Sequence, residues 1–135
     1  MSPILGKDLI TTQDWSIDEI ELAIDLAPKL KDLRSQEKKI PKILDDKIFS
    51  MLFYATSTRT RGEFESGMAL LGGHAFYVDL TTTRLKAGKA VRDTVEMYNI
   101  YSDGIGIRVL DNSIDFVYGR GRKIVEKFAK VAKIP

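Results

Sequence analysis

The stretch SMLFYATSTRTRGEFESGMALLGG, Ser50 to Gly73, decides how this chain is read. Its apolar run ends at Ala55, and Ser57, Thr58, Arg59, Thr60 and Arg61 then alternate hydroxyls with guanidiniums. Phe64, Met68 and Leu71 follow at i, i+4 and i+7, so Thr58 to Leu71 is predicted to be a helix, with Gly72-Gly73 as its stop. The preceding KIFSMLFY, Lys47 to Tyr54, reads as a buried strand. A strand that turns sharply into a helix leaves free N–H groups at the carboxyl end of the sheet, where they and the helix dipole favour an anion. Ser57, Thr58 and Thr60 add hydroxyls, and Arg59 adds a planar fork that matches a phosphate. The junction is therefore built to hold a phosphate-like group, without the glycines and lysine of a Walker loop. A purely structural reading stands beside it. Ser57 or Thr58 is then a plain N-cap, and Arg61 with Glu65, four residues apart, is a surface pair that braces the turn.

Outward from this stretch the pattern repeats. HAFYVDL reads as a second strand and DGIGIRV as a third. Val91, Val95 and Tyr98 mark a helix between them, and Ile124, Phe128 and Val131 mark a last helix. TTTRLKAGK, Thr81 to Lys89, is a polar loop. Upstream, Ser16 or Asp14 caps a helix from about Ile17, with Ile20, Ala23, Ile24, Ala27 and Leu30 on one face. Pro28 is expected to kink that helix or divide it. RSQEKKIPK, Arg34 to Lys42, is a solvated connector. Strands alternating with helices imply an α/β fold, a mainly parallel sheet flanked by helices. Ile134 and Pro135 resemble the lead-in to another strand, so the chain is expected to be one domain cut from a longer protein.

Bulk properties exclude several classes. The 135 residues make one domain, and 44% apolar with 30% charged residues is ordinary for a globular protein. A net charge of +2, with scattered basic residues, argues against nucleic acid. There is no cysteine, so no disulfide or thiolate metal site, which suits a cytoplasmic protein. No apolar run reaches membrane-spanning length, and the N-terminus lacks the apolar core of a signal peptide. His74 is the only histidine and, at the start of a strand, reads as structural.

STRTRGEFESGMALLGG is similar to the signature of the aspartate and ornithine carbamoyltransferase family. GKAVRDTVEMYNIYSDGIGIRV resembles that family's helix with an aspartate-threonine pair, followed by a strand that ends in an arginine. IVEKFAKVAKIP resembles the helix before its next strand. The likeness runs from about residue 5 to the end. It implies a carbamoyl-phosphate-binding domain over residues 1–135, in which Ser57, Thr58, Arg59 and Thr60 hold the phosphate. Arg108 would reach the carbamoyl oxygen and, with Thr60, stabilise the charge that grows there as an amine attacks. No metal, flavin or nucleotide cofactor is implied. The family works as a homotrimer, and a lysine from the neighbour's loop enters the site. In this chain that loop is Thr81 to Lys89, and Lys86 or Lys89 has to serve, since Ala87 falls where the lysine often does.

The chain also departs from the pattern. Ala55 stands where the family has a charged residue, and the histidine-proline-x-glutamine segment and amine-binding domain are not in these 135 residues. The resemblance thus implies a divergent carbamoyltransferase that acts on an amino acid or amine, with this stretch inactive by itself. A second reading is a non-catalytic phosphate-binding or assembly module of the same fold.

Overall fold

A computed structural model of the chain describes residues 4–83, 91–110 and 114–135. Four helices and three strands are described: α1 (Ile17–Ser35), β1 (Ile48–Phe53), α2 (Thr58–Leu71), β2 (His74–Asp79), α3 (Val91–Tyr101), β3 (Gly104–Arg108) and α4 (Arg120–Ala129). The strands form one sheet in the order β2-β1-β3, every pair parallel. The register sets Phe53, the last residue of β1, between Asp79 and Arg108. All three strands therefore end together, at the edge where α2 begins.

β1 is central because it is apolar on both faces, as a strand covered on both sides must be. Ser50, Met51, Leu52 and Phe53 are buried; each of the large side chains contributes about 1.5–3 kcal/mol relative to exposure. One face carries Leu52, which packs with Leu80, Val95, Tyr98 and Phe128 beneath α3 and α4. The other face lies under α2, where Phe49 stacks on Phe64 with centroids 4.9 Å apart. Gly106 of β3 is required on this face: a Cβ there would stand 2.7 Å from the Phe49 ring. Ser50 is the one buried polar residue of β1, and its hydroxyl is hydrogen-bonded to that of Ser102.

The ends of α2 follow from its sequence. Ser57 Oγ accepts from Thr60 N at 3.2 Å as the N-cap. Gly72 ends the helix in the left-handed region at φ 96°, where a side chain would be strained. Lys42 Nζ donates to the terminal carbonyls of Ala69 (3.2 Å) and Leu70 (2.9 Å).

Two expectations are corrected, and of the two effects expected of Pro28 one is excluded. Pro28 does not divide α1, which runs unbroken from Ile17 to Ser35 behind a complete Ser16–Glu19 capping box. The carbonyl that Pro28 leaves without its helical partner is that of Ile24, an exposed residue. No α1 residue is buried, and Ile24 on its apolar face is 63% exposed. The last helix ends at Ala129, so Val131 follows it, its amide bonded to Phe128 O at 3.0 Å. The polar loop after β2 begins as a short 3-10 turn, Leu80–Thr82, capped by the Asp79 side chain. Pro135 meets the outer edge of β3, where Ile105 N donates to its carbonyl at 2.8 Å, as expected of a strand lead-in. Among the described residues no helix is long and apolar enough to cross a membrane.

Candidate functional site

The junction lies at the carboxyl edge of a parallel sheet, where open α/β sheets bind ligands. Two turns of α2 give it two flanks. Thr60 and Phe64 face β3, while Ser57, Arg61 and Glu65, spaced by four, share the side facing β2.

On the β3 flank Arg108 Nη1 donates to Thr60 Oγ1 at 2.8 Å. Arg108 ends β3, and its carbonyl accepts from Tyr54 N at 2.9 Å, so the start of the side chain is fixed by the sheet. Among the described residues its Nε is buried with no hydrogen-bond partner. An unpartnered buried donor costs about 1–3 kcal/mol, a penalty that an acceptor placed there would relieve. Thr60 and Arg108 line a cavity of about 490 Å³ whose walls are mostly apolar, among them Phe49, Phe53, Ile105 and Phe128.

On the β2 flank Ser57 and Thr58 line a second cavity, of about 480 Å³, with Arg61, Glu65, Tyr77 and Asp79. Arg61 Nε donates to Glu65 Oε1 at 2.8 Å, the expected surface pair. Its guanidinium carbon also lies 4.6 Å from the centroid of the Tyr77 ring. Tyr77 in turn meets Phe53 edge-on at 5.4 Å. Burial, and then the Asp79 carboxylate, push the Tyr77 phenol above its ordinary value, with Arg61 acting in the opposite sense. The ring stays neutral through the physiological range.

Arg59 is exposed at the first turn of α2 and lines neither cavity. Ser57, Thr58, Thr60 and Arg108 are thus gathered at one sheet edge, divided between two flanks, with Arg59 at the turn between strand and helix. Lys86, Ala87 and Lys89 lie outside the described residues. His74 is the exposed first residue of β2, held by its backbone amide on Lys47 O at 2.8 Å. Tyr77 is the residue the sequence left out. Its signal was period two: Tyr77 and Asp79 fall on one face of β2 at its carboxyl end. Among the described residues no group of three or more histidine, aspartate or glutamate side chains is placed to hold a metal ion.

Residues 7–135 match the family described as aspartate/ornithine carbamoyltransferase, carbamoyl-P binding domain. The ornithine carbamoyltransferase of Pyrococcus abyssi is 36% identical over 130 residues, which are 96% of this chain and 38% of that protein. That of Bacillus subtilis is 36% identical over 132 residues, 98% of this chain and 37% of the relative. The solved ornithine carbamoyltransferase of Pyrococcus furiosus superposes with a TM-score of 0.82 at 35% identity, over 96% of this chain and 38% of its own. The chain spans less than two fifths of the length of these relatives.

Proposed function

Since this chain belongs to the aspartate/ornithine carbamoyltransferase family, over its carbamoyl-P binding domain, we propose that it is the carbamoyl-phosphate-binding half of an enzyme that carbamoylates an amino acid or amine. One observation carries the site: Arg108 Nη1 and Thr60 Oγ1 are joined at 2.8 Å beside the free N-terminus of α2. The two groups that would meet the carbamoyl oxygen are thereby held together before any ligand arrives. Arg59, the α2 N-terminus and the Ser57 and Thr58 hydroxyls would take the phosphate.

In the reaction a neutral amine adds to the carbamoyl carbon, and charge moves onto the carbonyl oxygen. Arg108 and Thr60 oppose it as preorganised donors, the arrangement that lowers such barriers most. The C–O bond to phosphate then breaks, and the leaving dianion stays on Arg59 and the helix N-terminus. The amine proton leaves with the departing group or to solvent. In the homotrimer implied by the resemblance, Lys86 of a neighbouring subunit would add charge at the phosphate.

Calorimetric titration of the chain with carbamoyl phosphate tests this reading. The chain is expected to bind it, and Arg108→Ala to weaken carbamoyl phosphate more than inorganic phosphate, since Arg108 would meet the carbamoyl group. Equal losses for the two ligands, or none, would overturn the role given to Arg108.

A further inference from the structure

The β2 flank contains a cation that the phosphate cradle described above does not use. Arg61 stands one turn after the N-cap Ser57, on the same side of α2. Helical side chains lean toward the N-terminus, and Arg61 lines the same cavity as Ser57 and Thr58. Two contacts fix its guanidinium: Glu65 Oε1 on Nε at 2.8 Å and the Tyr77 face at 4.6 Å; Phe53, from the buried end of β1, in turn holds Tyr77 edge-on. A stacked and paired guanidinium has already lost much of the rotamer freedom that a surface arginine gives up on binding.

These contacts leave part of the group unspent. Only Nε is bonded, and among the described residues no partner takes the four Nη hydrogens. The carboxylates nearby are engaged: Glu65 by Arg61, and Asp79 Oδ1 by Thr81 N at 2.9 Å and Thr81 Oγ1 at 2.6 Å. The cavity of about 480 Å³ that Arg61 lines is lined also by the Ser57 and Thr58 that head α2. A phosphate at the helix N-terminus has oxygens to spare on this side, since the amides and Arg59 do not exhaust its acceptor capacity.

We propose that Arg61 is a second phosphate-binding guanidinium of the site and that Tyr77 is its positioning residue, holding the fork in place by stacking. The proposal rests on the reading of Ser57 to Thr60 as a phosphate cradle. Bracing of the turn, the role its sequence suggests, is served by Nε alone; phosphate binding uses Nη.

The test is a titration of the 135-residue chain with inorganic phosphate, followed by calorimetry and by the ¹⁵N resonances of its arginine side chains. Arg61 Nη resonances are expected to shift with the phosphate isotherm. Affinity should fall roughly tenfold in Arg61→Gln, where the charge-assisted contact is lost, and about threefold or more in Tyr77→Leu, where the stack is lost. Tyr77→Phe retains the ring and should stay within about twofold of the unsubstituted chain, an outcome that separates stacking from any role of the hydroxyl. Arg59→Ala serves as the control. If it loses affinity while Arg61→Gln and Tyr77→Leu do not, or if the Arg61 resonances stay still as phosphate binds, Arg61 only braces the helix and the proposal falls. If the unsubstituted chain binds no phosphate, or Arg59→Ala binds as well as it does, the cradle itself is wrong and the proposal falls with it.

Discussion

Arg59 and Arg61 sit two residues apart on one turn of helix, yet their surroundings differ. Both are exposed, but Arg61 is stacked and paired, whereas Arg59 stands outside every ion pair described. An exposed guanidinium at a helix N-terminus contributes nothing to folding there, because the helix dipole disfavours a cation at that end. Its value has to lie in a ligand. Arg59→Ala is therefore expected to weaken binding of carbamoyl phosphate or phosphonoacetate by roughly 2–4 kcal/mol, the scale of a lost bidentate charged contact. Fold stability should be unchanged or slightly raised. Arg59→Lys should recover only part of the affinity, since an ammonium has no fork. Calorimetry on the three proteins checks this, and equal affinities would remove Arg59 from the site. At this scale much was legible in the sequence, because capping and i, i+4 pairing are local. Ser57 is the N-cap and Arg61 meets Glu65, both as the spacing suggests. The stack of Arg61 on Tyr77 was not legible, because it depends on how β2 registers beside β1.

Among the elements, β3 has the weakest hold of its own, with five residues and two glycines, Gly104 and Gly106. Its leading end is fastened by Asp103. One carboxylate oxygen accepts from Ile48 N at 2.9 Å and the other pairs with Lys47 Nζ at 2.9 Å, so the starts of β1 and β3 are tied together. The Lys47 ammonium, then the Ile48 amide, hold the Asp103 carboxyl below its ordinary value of 3.8. A depressed acid stabilises the fold above its unfolded pKa, and that contribution disappears as pH falls through the lower, folded value. The window therefore lies below about pH 4. Asp103→Asn keeps the side-chain shape and can still accept from Ile48 N, but loses the charge. It should melt at a lower temperature than the unsubstituted chain at pH 7, with the gap closing as pH drops below about 4. The groups are exposed, so the gap is small and shrinks in salt. A gap that is unchanged by acid would show that the carboxylate charge has no part in it. The strands and α2 were legible to within a residue or two, because period two and period 3.6 are strong signals when one face is buried. α1 was legible as a helix for the same reason, although none of its residues is buried; how far a helix face is covered depends on the elements packed against it, not on its own period.

For the molecule as a whole, binding and catalysis are expected to separate. Ser57, Thr58, Thr60 and Arg108, the residues proposed to meet carbamoyl phosphate, are gathered at one sheet edge within these residues, so binding is expected to persist. Turnover demands more. An amine must be held in line with the carbamoyl carbon, and such orientation is worth on the order of 7–11 kcal/mol of barrier. The chain spans 38% of the Pyrococcus abyssi relative, and the resemblance assigns amine binding to a second domain beyond the matched part. The same resemblance implies a histidine from a histidine-proline-x-glutamine segment as a further donor to the carbonyl oxygen. The only histidine here is His74, exposed at the far end of β2 from the site. Loss of one such donor typically lowers the rate by about 10²–10³. The loop lysine that the resemblance assigns to a neighbour's site would reach it only if trimers form. The 135-residue chain is therefore expected to bind carbamoyl phosphate while giving no carbamoylated product above the spontaneous rate. The measurement is a colorimetric assay of ureido product with aspartate, ornithine, putrescine and acetylornithine as acceptors, run beside the calorimetric titration at the same protein concentration. Turnover with any of the four would place an amine site within these residues. The apolar-walled cavity of about 490 Å³ beside Arg108 and Thr60 would then be the first place to look for it, because the attacking nitrogen must approach the carbamoyl carbon near the donors that hold its oxygen.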